Sequence, residues 1–213
     1  MGLLDVFSKK VPKPYKQEVY NVMYDLLFCD DIELYRAETK ATGFPWNVLL
    51  AKKPDADKLR VIAGTSTIDA RHKLLANNIL KTQGVAINKK EPLGVVVEVA
   101  LPVGLDVIAA YSDGTARYIN HTGKMLVWEN RTDVSEKILA QLFAASLPVI
   151  SQIERIDNER KPFPENGKIR LTFLVSDGMY YWEGPYEQMH KDDLAGPVIN
   201  AATDLLTYLS SRK

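Results

Sequence analysis

Leu105-Asp106-Val107-Ile108-Ala109-Ala110-Tyr111-Ser112-Asp113-Gly114-Thr115-Ala116-Arg117-Tyr118-Ile119 reads as two strand-forming runs joined by a tight turn. Asp-Gly between such runs is the strongest short-range hairpin signal, because glycine accepts the positive φ the turn demands and Asp tolerates it. The tripeptide recurs as Ser176-Asp177-Gly178, between Ile169–Val175 and Met179–Glu183. Each hairpin then leads to a helix-like segment.

Working outward, the chain alternates helices with groups of strands. A first helix is expected from about Tyr15 to Cys29, with Tyr15, Val19, Val22, Met23, Leu26 and Leu27 on one stripe. A short extended piece near Ile32–Ala37 follows. Strands are then read at Asn47–Ala51 and Leu59–Ala63, joined through Pro54-Asp55-Ala56-Asp57. A second helix is expected over Ile68–Thr82, ended by Gly84, the residue type favoured just past a helix C-terminus. Leu93–Val99 is a nearly continuous β-branched run, as befits a strand covered on both faces.

After the first hairpin come a turn at Asn120–Gly123 and a strand at Lys124–Trp128. A third helix is expected over Val134–Ile156, capped by Asp133 with Glu136. Its stripe is Ile138, Leu142, Ala145, Val149 and Ile153, widened by Leu139, Phe143, Leu147 and Ile150. Pro148 is expected to bend or end it, since proline removes a backbone donor and crowds the preceding turn. A charged loop, Asp157–Gly167, precedes the second hairpin, and a last helix is read over Pro197–Ser210.

The fold class that follows is α+β: an antiparallel sheet built from successive hairpins, with four helices gathered on a face of it. Residues 1–13 read as a tail and 14–213 as a single domain, with 84–92 the place where it could divide. Within the second hairpin, a two-residue turn at Asp177-Gly178 sets Val175 opposite Tyr180, Phe173 opposite Trp182 and Leu171 opposite Gly184. That register puts the large apolar residues on one side and Arg170, Thr172, Leu174, Tyr181 and Glu183 on the other. A slip of one residue would turn the return strand over and spoil this segregation.

Composition narrows function mainly by exclusion. The chain has 213 residues, of which 46% are hydrophobic, and 27 basic side chains balance 27 acidic ones. Zero formal charge without a long basic run argues against nucleic acid as a partner. The single cysteine, Cys29, excludes an internal disulfide framework and fits a reducing, cytoplasmic setting. No membrane span is expected, because no stretch reaches the roughly 20 apolar residues a bilayer requires. Met1–Phe7 lacks the basic leader of a signal peptide and reads as a small amphipathic hook.

Phosphate-loop, dinucleotide, nucleophile-elbow and zinc-protease motifs are lacking. His72, His121 and His190 are too far apart for a local metal site, and Cys29 reads as a buried hydrophobe. No cofactor is expected. Asp30-Asp31-Glu33, just past the first helix, opposes the helix dipole, and a nearby Arg or Lys, a bound cation or a hydrated turn would each answer it. The densest polar patch is Arg117-Tyr118-Ile119-Asn120-His121-Thr122-Gly123-Lys124. Donors, an aromatic ring and a turn on a rigid strand suit a binding loop. Arg117, Tyr118, Asn120, His121 and Lys124 are therefore the candidate binding residues. Tyr181, outward and beside Arg170, joins them, and with Arg117 it would form one recognition surface if the two hairpins are neighbours. The function expected is a non-catalytic binding module for a protein partner or a second copy. The alternatives are a hydrolase-like enzyme whose groups, Arg117 and His121 among them, converge in a cleft, and a small-molecule sensor with a pocket between sheet and helices.

Overall fold

A computed structural model describes residues 12–38, 40, 42–156 and 160–212. The expected tail and its amphipathic hook lie almost wholly outside the described residues, as does part of the charged loop after the third expected helix. Among the described residues, seven strands form one antiparallel sheet. They are β1 (Pro92–Leu101), β2 (Gly104–Tyr111), β3 (Ala116–Ile119), β4 (Met125–Trp128), β5 (Arg155–Ile156), β6 (Lys168–Val175) and β7 (Gly178–Pro185). Their spatial order is β4-β3-β2-β1-β6-β7-β5. The fold is α+β.

β1 occupies the centre, as its apolar run requires. Val95 and Val97 enter one core and Val96 and Ala100 the other, so both faces of the strand are covered. The helices accordingly lie on both sides of the sheet, not on one. The first layer is α1 (Glu18–Leu26), α2 (Ile32–Glu38), α3 (Trp46–Leu49), α4 (Ala56–Gly64) and α5 (Ala70–Thr82). The second is α6 (Asp133–Gln152), α7 (Tyr186–Lys191) and α8 (Ala195–Ser210).

The segments expected as extended structure at 32–37 and as strands at 47–51 and 59–63 are helices. A short apolar run does not separate a buried helix from a strand by periodicity. The local signal is Asp55, whose side chain accepts from the N–H groups of Asp57 and Lys58, each at 3.0 Å. What read as a turn is thus a helix N-cap. Leu59 and Ile62, three apart and fully buried, complete one turn of the inner face.

In the third expected helix, here α6, the capping box is Thr132 with Ser135 rather than Asp133 with Glu136. The helix runs through Pro148 to Gln152, so of the expected bend or end at that residue the end does not occur. Its buried stripe is Ser135, Leu139, Leu142, Ser146, Val149 and Ile150, whereas Leu147, expected to widen it, is 54% exposed.

The two Ser-Asp-Gly tripeptides make different loops. In the first, Tyr111 and Thr115 close a three-residue turn in which Gly114 holds φ 92. In the second, Val175 pairs with Gly178 around a two-residue loop of Ser176 and Asp177. Phe173 therefore faces Tyr180 and Leu171 faces Trp182, two residues away from the expected register. A shift of two preserves which face each side chain occupies, so the expected segregation stands. Both turns arrive at the same end of the sheet. The N–H of Ser112 donates to the carbonyl of Leu93, and that of Ser176 donates to the carbonyl of Glu91, which flank the entry to β1.

Candidate functional site

The expected binding patch divides between the two faces of the β2–β3 hairpin. Arg117 is only 8% exposed. Its guanidinium donates to the carbonyls of Ala116 (2.9 Å) and Trp128 (3.1 Å) and to Glu129 Oε1 (2.6 Å). Tyr118, on the opposite face, donates its hydroxyl to Asp106 Oδ2 at 2.7 Å. Asp106 Oδ1 accepts the backbone N–H of His121 at 2.7 Å and lies 2.9 Å from its Nδ1. Burial and the Asp106 carboxylate raise the Tyr118 phenol above its ordinary pKa. Asn120 Oδ1 accepts from Thr122 and from the N–H of Lys124, which closes the turn. Asp106 is the hub of this patch, and the reading of residues 117–124 alone did not include it.

Tyr181 lies far from Arg117. Three strands separate β3 from β7, a gap of about 19 Å at the usual strand spacing. Tyr181 is half-buried, with Lys161 and Arg170 over its ring at 5.0 and 5.3 Å. Arg117, His121, Glu129 and Asp30, the groups whose convergence an enzyme reading requires, belong to three separate networks. Arg117 pairs with Glu129, His121 with Asp106, and Asp30 with Arg160 at 3.0 Å. Arg160 also holds Asp25 at 2.6 Å, so a basic side chain answers the acidic cluster after α1.

The remaining reactive candidates are occupied. Cys29 is fully buried, its Sγ is 3.2 Å from the Tyr35 hydroxyl, and burial pushes its pKa up to about 12. His72 packs edge-on against Trp46 and His190 stacks on Tyr186. Among the described residues no group of three His, Cys, Asp or Glu side chains is placed to hold a metal ion.

An open groove of about 570 Å³ lies between α6 and the first Ser-Asp-Gly turn. One wall is α6, through Leu139, Ala140, Phe143, Ala144 and Leu147; the other is Pro92, Tyr111 and residues 112–114. This volume is within the range of ligand-binding sites. The turn is a rigid wall. Asp113 accepts the N–H of Ala70 at 2.7 Å, at the start of α5, and both the N–H and hydroxyl of Thr115. Burial opposes ionisation of Asp113, but those hydrogen bonds outweigh it and hold the carboxyl below its ordinary range.

Arg131 and Glu136 stand at the charged end of the groove. Arg131 lies flat across Gly114, where an added Cβ would come within 2.9 Å of its Nε. Neither side chain makes an ion pair among the described residues.

Beyond that end the surface of α6 carries no charge. Between Lys137 and Glu154 the sequence is Ile138-Leu139-Ala140-Gln141-Leu142-Phe143-Ala144-Ala145-Ser146-Leu147-Pro148-Val149-Ile150-Ser151-Gln152-Ile153. Ala140, Gln141, Ala144, Leu147, Pro148, Ser151 and Gln152 are exposed. An ordinary surface helix carries charged residues on its outer side. By length and composition α6 is the one helix among the described residues apolar enough to cross a membrane, yet only 33% of its most apolar stretch is buried in the protein. The exposed face was readable in the sequence as sixteen residues without a charge, but the breadth of the apolar stripe hid it. The chain matches no family model, and no curated protein is significantly similar to it.

Proposed function

We propose that this chain is a protein-interaction module, and that the groove beside α6 receives a helical segment of a polypeptide. The observation that carries this reading is the neutral, exposed face of α6 next to an apolar groove, ending at a cation and a carboxylate that make no ion pair among the described residues. Exposed apolar surface of this kind, rimmed by polar groups, is characteristic of interaction sites. A helix laid into a groove anchors through residues at three- and four-residue spacing. An occupant able to satisfy Arg131 and Glu136 together must offer groups of both signs, which a polypeptide does and a simple fatty acid does not. The polar patch around Asp106 and His121 then serves to fix the β3–β4 turn.

The test is a display selection with a random-peptide library, counter-selected on Ala144→Arg, which fills the groove. Peptides should converge on apolar residues at helical spacing and bind the wild-type protein alone. Enrichment that ignores the filled groove would contradict the reading. A parallel arm with phosphatidylcholine vesicles checks for lipid: co-sedimentation lost in Ala144→Arg would replace the polypeptide by a membrane surface.

A further inference from the structure

We infer that a second site, apart from the α6 groove, takes a small uncharged ring with an amide edge, as in a nucleobase, on the carboxamide of Asn77. This residue of α5 is 5% exposed and makes no hydrogen bond among the described residues. The similarly buried Asn21 uses both ends of its amide: Oδ1 accepts the N–H of Tyr15 at 2.9 Å, and Nδ2 donates to the Tyr15 carbonyl at 3.0 Å. A buried amide without partners costs stability. Asn77 opens instead onto a pocket of about 340 Å³, a volume that suits a small ligand.

The walls of this pocket are held in place. They come from the C-terminal half of α4, from α5 and from the extended stretch Val85–Lys89. Both ends of that stretch are tied down. The Val85 N–H donates to the Leu80 carbonyl at 3.0 Å, and the Lys89 carbonyl accepts the hydroxyl of Ser176 from the second Ser-Asp-Gly turn. Ala63, Leu80, Val85 and Ile87 make the lining largely apolar. Its charged side chains are already paired, Arg60 with Asp57 and Lys89 with Glu91, each at 2.5 Å. A ligand here therefore has no free charge to answer. The carboxamide offers an acceptor beside a donor, so its complement carries a donor and an acceptor on one side. A trans peptide bond points its N–H and C=O in opposite directions, whereas a ring amide holds them together. Asparagine reads adenine in this two-point way, and the faces of such a ring suit aliphatic walls.

The backbone of residues 86–88 makes no hydrogen bond among the described residues, which makes an extended peptide the competing occupant. Nuclear magnetic resonance of isotope-labelled protein separates the two, with the side-chain NH₂ signals of Asn77 identified by their loss in Asn77→Leu. Uracil, hypoxanthine or nicotinamide at millimolar concentration should shift those signals. Dimethyluracil, which keeps the ring but has no N–H, should not. Asn77→Leu should weaken binding of the ring about tenfold or more. It should also unfold at an equal or higher denaturant midpoint, because it removes an unsatisfied amide. Signals unmoved by all three rings, or dimethyluracil bound as tightly as uracil, would overturn the inference. Binding retained in Asn77→Leu would overturn it too. So would a blocked alanine dipeptide that moves the same signals at lower concentration than any ring, since it would put an extended peptide in the site.

Discussion

Arg170 stands directly opposite Glu98 on β1 and directly opposite Glu183 on β7, so one buried guanidinium faces two carboxylates. The two contacts are unequal. Its Nη2 is 2.5 Å from Glu183 Oε2, whereas its Nη1 is 3.8 Å from Glu98 Oε2. Glu98 is fully buried; its Oε1 accepts the Tyr24 hydroxyl at 2.6 Å, and its Oε2 has no hydrogen-bond donor among the described residues. Arg170 also donates to the carbonyls of Lys161 and Pro162, which ties that segment to the sheet.

Glu98 should make stability depend on pH. Burial dominates its environment and raises its pKa above 4.5, with Arg170 and the Tyr24 hydrogen bond opposing. A carboxyl raised on folding stabilises the native state fully below its unfolded pKa, and that contribution is lost as pH rises through the folded value. Glu98→Gln keeps an acceptor for Tyr24 and carries no charge. Denaturant unfolding across a pH series should show the variant gaining on the wild-type protein as pH rises above about 4.5. A wild-type advantage at neutral pH that disappears in acid would contradict this assignment.

The two sides of α6 should respond oppositely to truncation. Leu142 is 1% exposed in the core shared with α8, and Leu142→Ala should cost about 2–5 kcal/mol. Leu147→Ala, on the outer face, should change the stability of the monomer by less than about 0.5 kcal/mol. Equal losses would mean that Leu147 belongs to the core.

The cap of α6 gives a sharper local test. The Thr132 hydroxyl accepts the N–H of Ser135 at 3.1 Å and also meets the Tyr208 hydroxyl at 2.7 Å, which joins the start of α6 to α8. Thr132→Ala should cost about 0.5–2 kcal/mol. Glu136→Ala, at the position that sequence spacing favoured for the box, should cost less. The reverse order in thermal or chemical unfolding would restore Asp133 and Glu136 as the cap.

Gly123 should not accept a side chain. It holds φ 86, and a Cβ there would lie 2.3 Å from the ring of Tyr20 on α1. Gly123→Ala should destabilise by about 1–3 kcal/mol from crowding, beyond the cost of the left-handed backbone. Tyr20→Ala should relieve the crowding part of that loss in the double variant. Full additivity of the two substitutions would show that the ring and the turn do not touch.

What could be read from the sequence was set by the length of each signal. The hairpins around the Ser-Asp-Gly turns, the central strand β1 and the helices α5, α6 and α8 announce themselves over many residues, and so do their buried faces. α2, α3 and α4 span 7, 4 and 9 residues, too few for a period to emerge. Their markers are single side chains such as Asp55. Register was harder than face. Val175 opposite Gly178 and Val175 opposite Tyr180 segregate the same residues, so hydrophobic pattern alone does not choose between them. For the site, the polar stretch 117–124 drew attention by composition, whereas Arg117 and His121 are engaged by Glu129 and Asp106 at some distance in sequence. The open surface on α6 is marked by missing charge, a signal easily absorbed into a buried stripe.

Hydroxyl-radical footprinting of Leu147, with and without a peptide selected on the open groove, bears most directly on the claim that the outer face of α6 is a contact surface. Oxidation of Leu147 should fall when the peptide is added while Val103 stays fully reactive. Leu147 oxidised equally with and without the peptide would show that nothing covers this face.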